Sequence, residues 1–202
     1  MPATRRAGAA GKRRRPRGLV LTPGASAGRD QRALVAIDEA LAGSGVVVER
    51  VDFPYRVAGR RAPDKPPVLI GTVVEAARTM AGRIGCDTDE VALGGRSMGG
   101  RICSMAVADG LPAAVLVLVS YPLHPPGKPD RLRTDHFPLL HLPCLFVSGT
   151  RDTFGTPEEL ETATAAIPGP VTHVWIGGGD HGLRRRDDEV AEVVRGWLTA
   201  GG

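Results

Sequence analysis

Residues 91–101 read VALGGRSMGGR, and the interpretation of the whole chain starts from them. A short apolar run at residues 91–94 leads into Gly95-Arg96-Ser97-Met98-Gly99, which fits the pattern G-x-S-x-G, and helical apolar spacing follows. A serine between a strand and a helix in this pattern is typical of a nucleophile exposed on a strained turn. We therefore predict that Ser97 is a nucleophile. The alternative is a glycine-rich turn that carries an incidental serine.

Apolar runs of strand length recur along the chain and alternate with segments of helical period. The predicted strands are residues 18–22, 46–51, 91–94, 113–120, 144–148 and 171–176. These runs are mostly continuous and rich in Val, Leu and Ile, which is typical of parallel strands buried on both faces. Predicted helices include residues 30–41, residues 67–84 and one that starts at the capping box Thr156-Pro157-Glu158-Glu159. The order predicts an α/β fold with a doubly wound, mostly parallel six-stranded sheet and no large lid domain.

The basic charge of the chain is concentrated at its start. Residues 1–17 carry seven of the 26 Lys and Arg and no acid, so 19 basic residues face 22 acidic ones in the remainder. This segment has no aromatic or branched apolar residue, and we predict a disordered tail at 1–17 and a single domain at 18–202. The tail could contact nucleic acid or another acidic partner, but a solvated extension is the preferred interpretation. No apolar run reaches the roughly 18–20 residues of a membrane span.

The spacing of the three cysteines and of the glycine-rich turns argues against nucleotide-binding and metal sites. Cys86, Cys103 and Cys144 show no C-x-x-C spacing, which predicts reduced thiols and a cytoplasmic protein. The turns lack the spacing of nucleotide-binding loops, and no His or Cys pair has the spacing of metal ligands. We therefore expect neither a cofactor nor a metal.

A nucleophilic serine needs a base and an acid that orients it, which in this fold follow in the order Ser, Asp or Glu, His. Asp152 directly follows the predicted strand at 144–148, and His181 follows the one at 171–176. We predict Asp152 as the acid and His181 as the base. The alternatives are a turn aspartate, an exposed loop histidine, and Asp180 as a weaker candidate acid.

The surroundings of Ser97 can also be predicted. An oxyanion hole needs two N–H donors, for which we predict the backbone of Met98 and, in the loop after the first predicted strand, that of Ala25. Pro23 has no N–H, so the second donor must lie beyond it. The predicted substrate-pocket residues are Gly24, Tyr121, His124 and Phe154. Three of them depend on the long proline-rich stretch 121–143 and the loop after Asp152, because a long irregular loop is often functional.

Four segments resemble one subgroup of the α/β-hydrolase superfamily. They are VALGGRSMGGR at 91–101, SYPLHPPGKPDRLRTDHF at 120–137, LFVSGTRDTFGTPEEL at 145–160 and GGDHGL at 178–183. The subgroup includes testis-expressed protein 30 and the hydrolase-like domain of NSL complex subunit 3, and it borders on dienelactone-hydrolase-like proteins. The similarity runs from about residue 18 to residue 198, and YPLHPPGK at 121–128 is its most specific segment.

The resemblance implies the same fold and assigns Ser97, Asp152 and His181 to the same roles. Relatives commonly carry a histidine before the oxyanion glycine, where this chain has Pro23. The hydrogen bonding around the second donor is therefore expected to differ from theirs. Eukaryotic members imply a role in chromatin complexes, which nothing in this chain indicates.

Two functions follow from the sequence. The preferred one is a serine hydrolase that cleaves a small carboxylic ester or thioester through an acyl-enzyme on Ser97. The alternative is a binding or scaffold protein on the same fold, because fold does not determine function. Retention of all three residues, Ser97, Asp152 and His181, favours the enzyme.

Overall fold

Six parallel strands form the centre of the protein, whose computed structural model describes residues 4–7 and 15–200. A seventh strand in these ranges lies at one edge of the sheet. In chain order the strands are β1 (Thr4–Ala7), β2 (Gly18–Thr22), β3 (Val47–Arg50), β4 (Val91–Arg96), β5 (Leu116–Val119), β6 (Cys144–Gly149) and β7 (Val171–Ile176). Across the sheet the order is β1-β7-β6-β5-β4-β2-β3, and β2 to β7 all pair in parallel. This confirms the predicted sheet.

β1 lies in the segment that the sequence predicts to be disordered. It pairs antiparallel with β7, with Thr4 opposite Trp175. Without β1, β7 would expose a row of unpaired backbone groups, and backbone pairing needs no apolar side chain. The predicted tail at 1–17 therefore differs from the structure at Thr4–Ala7. The prediction differs from the structure again at Arg17, which donates to the carbonyl oxygens of Ile84 and Gly85 at 2.9 and 3.0 Å. The rest of the predicted tail at residues 1–3 and 8–14 lies outside the described residues.

Helices cover both faces of the sheet. In chain order they are α1 (Arg32–Leu41), α2 (Pro54–Val57), α3 (Pro66–Ile84), α4 (Met98–Ala108), α5 (Pro157–Thr164) and α6 (Asp187–Thr199). One buried core includes side chains of α3 and α4, such as Val73 and Ile102. A second core includes side chains of α1 and α6, such as Ile37 and Val194. Two cores on opposite faces of one sheet are what a doubly wound topology produces. Among the described residues, no helix combines the length and apolar character needed to cross a bilayer.

The start of α5 confirms the predicted capping box. The Thr156 hydroxyl accepts from the Glu159 N–H at 3.3 Å, and the Glu159 carboxylate accepts from the Thr156 N–H at 2.8 Å. These bonds pair N–H groups that have no partner within the helix. The short helix α2 was not predicted, because four residues are too few to show a helical period.

The three thiols are free. Cys103 and Cys144 are buried, and burial raises the pKa of each to about 12. The Cys103 Sγ donates to the carbonyl oxygen of Gly94 at 3.3 Å, so this thiol lies under the strand that leads to Ser97. Cys86 is only half-buried and follows α3 at the end of the sheet where β4 begins.

Candidate active site

Ser97 sits between the last residue of β4 and the first residue of α4, in a strained backbone conformation with φ 51° and ψ −118°. The turn is tight because the neighbouring glycines lie against backbone. A Cβ on Gly95 or on Gly99 would collide with the carbonyl oxygen of Thr22. Glycine is therefore required at both positions, and the G-x-S-x-G pattern has a steric cause here.

The structure brings the three predicted side chains Ser97, His181 and Asp152 together. Ser97 Oγ lies 2.9 Å from His181 Nε2. On the other side of the ring, His181 Nδ1 lies 2.8 and 3.0 Å from the two carboxylate oxygens of Asp152. Asp152 is 1% exposed, and its Oδ1 also accepts from the Phe154 N–H at 2.8 Å. The arrangement places an imidazole nitrogen on the hydroxyl and a buried carboxyl group behind the ring, which is the geometry of a serine with a base and an orienting acid.

The alternative acid Asp180 has no such contact with the ring. Both Nδ1 contacts of His181 are to Asp152, and Asp180 is exposed. Its carbonyl accepts from the Leu183 N–H at 3.1 Å and so shapes the loop that carries His181.

Two loops at the carboxyl ends of β6 and β7 position Asp152 and His181. The loops lie against each other, since the Arg151 N–H donates to the carbonyl oxygen of Gly179 at 2.8 Å and a Cβ on Gly149 would collide with that same oxygen. Phe154 stacks on the His181 imidazole, with ring centroids 3.9 Å apart and planes inclined by 25°. Phe154 thus contacts the imidazole at its face, and Asp152 contacts it at its edge.

Sequence analysis did not predict the role of Arg96. Its Nη2 donates to the backbone carbonyl of His181 at 2.7 Å, so the residue before the serine holds the loop of the base. Burial lowers the pKa of Arg96, and the opposing influence of Asp152 comes second. The variable position of G-x-S-x-G carries no signal for such a contact, because the partner is 85 residues away along the chain.

Both predicted oxyanion donors lie at the wall of one cavity next to Ser97. Met98 is the first residue of α4, where backbone N–H groups have no partner within the helix. Ala25 is held by its carbonyl, which accepts from the Tyr55 hydroxyl at 2.7 Å, and the preceding Gly24 N–H donates to Gln31 Oε1 at 3.0 Å. These bonds fix the loop after Pro23 without a histidine at that position.

The cavity next to Ser97 measures ≈ 500 Å³, within the range of small-molecule sites. Gly24 and Phe154 line it, as predicted. Tyr121 and His124 do not, which corrects two of the predicted pocket residues. Tyr121 is 1% exposed and its hydroxyl donates to the Arg133 carbonyl at 2.7 Å, while His124 Nε2 lies 3.4 Å from a Glu159 carboxylate oxygen.

The prediction for Tyr121 and His124 was wrong because side chains of the loop 121–143 pack against the protein and do not all face the cavity. The Tyr121 ring packs against Phe137 and Phe146 at centroid distances of 5.4 and 5.8 Å. The loop therefore turns its first aromatic side chain into the core and reaches the cavity with Pro122 and Arg133.

A second serine and histidine also lie in contact. Ser104 Oγ lies 2.8 Å from His136 Nε2, but the hydroxyl donates to the Arg101 carbonyl at 2.8 Å and Ser104 is fully buried. Burial, and after it the nearby Arg101, lowers the pKa of His136 to about 4. Within the described part of the chain His136 has no carboxylate partner for its ring. This pair therefore lacks both access to the cavity and an orienting acid.

No metal centre is evident in the parts of the chain that the structure describes. Across residues 4–7 and 15–200, no group of three or more His, Cys, Asp or Glu side chains is arranged to hold a metal ion.

The chain matches one protein family and is similar in fold to many solved structures. The family described as "Alpha/beta hydrolase domain" matches residues 15–196. An alpha-beta serine hydrolase homologue from Coxiella burnetii is 19% identical with a TM-score of 0.72, covering 96% of this chain and 89% of its own. Est1E from Butyrivibrio proteoclasticus is 16% identical with a TM-score of 0.72, over 95% and 89% of the two chains. A monoacylglycerol lipase from Paleococcus ferrophilus is 14% identical with a TM-score of 0.72, over 100% of both chains. At these identities the structures show a shared fold, and the narrower subgroup stays a prediction.

Proposed function

This chain belongs to the family of alpha/beta hydrolase domains, and from that membership and the geometry at Ser97 we propose that it is a serine hydrolase of small carboxylic esters or thioesters. The observation that carries the proposal is the continuous line of contacts from Ser97 Oγ through His181 to Asp152 at the wall of a cavity. Structural neighbours whose names denote a serine hydrolase homologue and a lipase add support.

In the proposed reaction, Ser97 Oγ attacks the carbonyl carbon of the ester while His181 Nε2 takes the hydroxyl proton. Asp152 holds the ring so that Nδ1 keeps its proton and the imidazolium is stabilised as it forms. His181 then gives the proton to the leaving alcohol or thiol, which departs as the carbonyl reforms. Water resolves the acyl-enzyme by the same two proton transfers in sequence.

The negative charge that forms on the substrate oxygen needs donors at the site. We assign the backbone N–H groups of Met98 and Ala25 to this role. Removal of one such donor typically costs about 100–1000-fold in rate. Because Ala25 is a backbone donor fixed through Tyr55 and Gln31, its contribution does not depend on its own side chain.

A fluorophosphonate probe tests the proposal directly, because it reacts only with an activated serine. We expect the purified chain to be labelled, and Ser97→Ala to lose labelling and turnover of 4-nitrophenyl butyrate by at least about 1,000-fold. Intact mass and peptide mapping identify the modified residue.

Ser104→Ala is the matched control, because Ser104 also contacts a histidine but is buried. It should keep full labelling. Absence of labelling and of ester turnover in the wild-type chain would contradict the proposal and favour the binding or scaffold protein. Labelling that disappears in Ser104→Ala instead would move the nucleophile to the second pair.

A further inference from the structure

Three arginines line the cavity next to Ser97, and two of them, Arg101 and Arg133, have no role in the proposed proton transfer or in holding the His181 loop. Arg101 lies one helical turn after Ser97 on α4, and its backbone N–H donates to the Ser97 carbonyl at 3.1 Å. Residues four apart on a helix share a face, so the Arg101 side chain is on the same side of α4 as the nucleophile. Arg133 reaches the cavity from the loop 121–143.

Arg133 is fixed in place by the loop that carries it. Its N–H donates to the Leu123 carbonyl at 2.9 Å, and its own carbonyl accepts from the Tyr121 hydroxyl at 2.7 Å. Its Nη1 makes only a long contact of 3.4 Å, to the Pro122 carbonyl. The backbone is therefore held firmly, while most of the guanidinium donors remain available to the cavity.

Neither guanidinium has an acidic partner in the described chain. Every ion pair there joins other residues, and Arg101 Nε is buried without a hydrogen-bond partner among the described atoms. The two groups also repel each other, since burial and then Arg101 lower the pKa of Arg133. Both arginines are only half-buried, but guanidinium groups without an acidic partner at a cavity wall form a place where an anion would be stabilised.

The other charges at the cavity wall do not neutralise this couple. Asp64 lines the cavity, and its Oδ1 pairs with Arg60 at 2.8 Å, whereas its buried Oδ2 has no hydrogen-bond partner among the described atoms. Arg96 also lines it, with Nη2 committed to the His181 carbonyl. The wall therefore keeps an excess of positive charge beside the nucleophile.

We propose that Arg101 and Arg133 bind an anionic group of the substrate, so that the preferred esters carry a second, negatively charged group such as a carboxylate or phosphate. This rests on the proposed hydrolase function and specifies its substrate class. Guanidinium groups suit this role because their fixed donors bind carboxylate and phosphate oxygens in pairs. A cavity of ≈ 500 Å³ has room for a short acyl chain that ends in such a group.

The turnover test compares two esters of equal length, mono(4-nitrophenyl) adipate and its neutral methyl ester. We expect the wild-type chain to favour the anionic ester in kcat/KM, and Arg101→Gln and Arg133→Gln each to lower the anionic-to-neutral ratio by about tenfold or more. Arg78→Gln, which removes an exposed arginine of α3, should leave the ratio unchanged. Equal kcat/KM for the two esters in the wild-type chain would overturn the inference, whatever the variants do.

The binding test does not depend on turnover. Titration calorimetry on Ser97→Ala should show binding of monomethyl adipate but not of dimethyl adipate, and loss of that binding in Ser97→Ala with Arg101→Gln. Parallel titrations with phenyl phosphate and phenylacetate show which anion is preferred. Anion binding without ester turnover would refute the hydrolase proposal and leave the anion site standing. Ester turnover without anion preference or anion binding would refute the anion site and leave the hydrolase proposal standing.

Discussion

Arg96 contacts the backbone of His181. Its guanidinium donates to the His181 carbonyl at 2.7 Å and so joins the residue before Ser97 to the loop of His181. The imidazole side chain is held separately by Asp152 and Phe154. In the proposed reaction we therefore expect Arg96 to act as a positioning residue, through the loop that carries His181.

Replacement of Arg96 should slow the reaction without abolishing it. We expect Arg96→Gln to lower kcat for 4-nitrophenyl butyrate by about tenfold to a hundredfold, since small misplacements of a reacting group have effects of this size. Arg96→Lys should recover part of the loss, because a lysine can donate to the same carbonyl. Arg184→Gln, which removes an exposed arginine near the same loop, serves as control. An unchanged kcat and pH–rate profile in Arg96→Gln would refute the positioning role.

At the scale of elements, each functional side chain lies where a parallel strand ends. Ser97 follows β4, Asp152 lies in the loop after β6, and His181 lies in the loop after β7. Parallel strands deliver their carboxyl ends to one edge of the sheet, so residues far apart in sequence meet there. α5 follows the Asp152 loop directly, and its capping box fixes where that loop ends.

The capping box should contribute measurably to stability. Thr156→Ala removes the side-chain acceptor of the Glu159 N–H, and we expect the free energy of unfolding to fall by about 1 kcal/mol. Urea denaturation at constant m-value measures the change. Thr162→Ala on the same helix is the control, since the Thr162 hydroxyl bonds only to its own helix, at the Glu158 carbonyl. Equal losses in the two variants would contradict a capping effect.

For the whole molecule, buried histidines link stability to pH. His173 is 7% exposed and lies between Phe146 and Trp175, at centroid distances of 5.3 and 5.1 Å. Its Nε2 lies 2.9 Å from the Thr164 hydroxyl oxygen. Burial lowers the pKa of His173 to about 4, below its ordinary 6.5. The unfolded chain therefore binds a proton between these pH values that the folded chain does not.

It follows that stability falls as pH is lowered through this window. From pH 6.5 towards pH 4, His173 should reduce the free energy of unfolding by up to about 1.4 kcal/mol per pH unit, and His136 acts in the same direction. Urea denaturation at pH 7.0, 5.5 and 4.5 measures the slope. His173→Phe keeps an aromatic ring but cannot titrate, so its slope should be smaller. Parallel slopes for the two chains would contradict the assignment.

Features that depend on local pattern were predictable from the sequence. The continuous apolar runs predicted β2 to β7, because strands buried on both faces need no polar alternation. Ser97 followed from its turn, and Asp152 and His181 from their places after later strands. Contacts between residues far apart in the sequence produce no local pattern, so the hydrogen bond from Arg96 to the His181 carbonyl was not predicted. Tyr121 was assigned to the pocket because its loop was expected to line it, whereas its ring fills the core.

The distribution of thiols also determines how the protein can be attached to a surface. Cys103 and Cys144 are enclosed, whereas Cys86 is half-buried at the end of the sheet where β4 begins. The six residues of β4 span about 20 Å, and Ser97 follows the opposite end of that strand. A maleimide support that couples to this native side chain would leave the cavity next to Ser97 facing away from the surface. Immobilised protein or a fluorescent conjugate could be prepared in one orientation without introducing a residue.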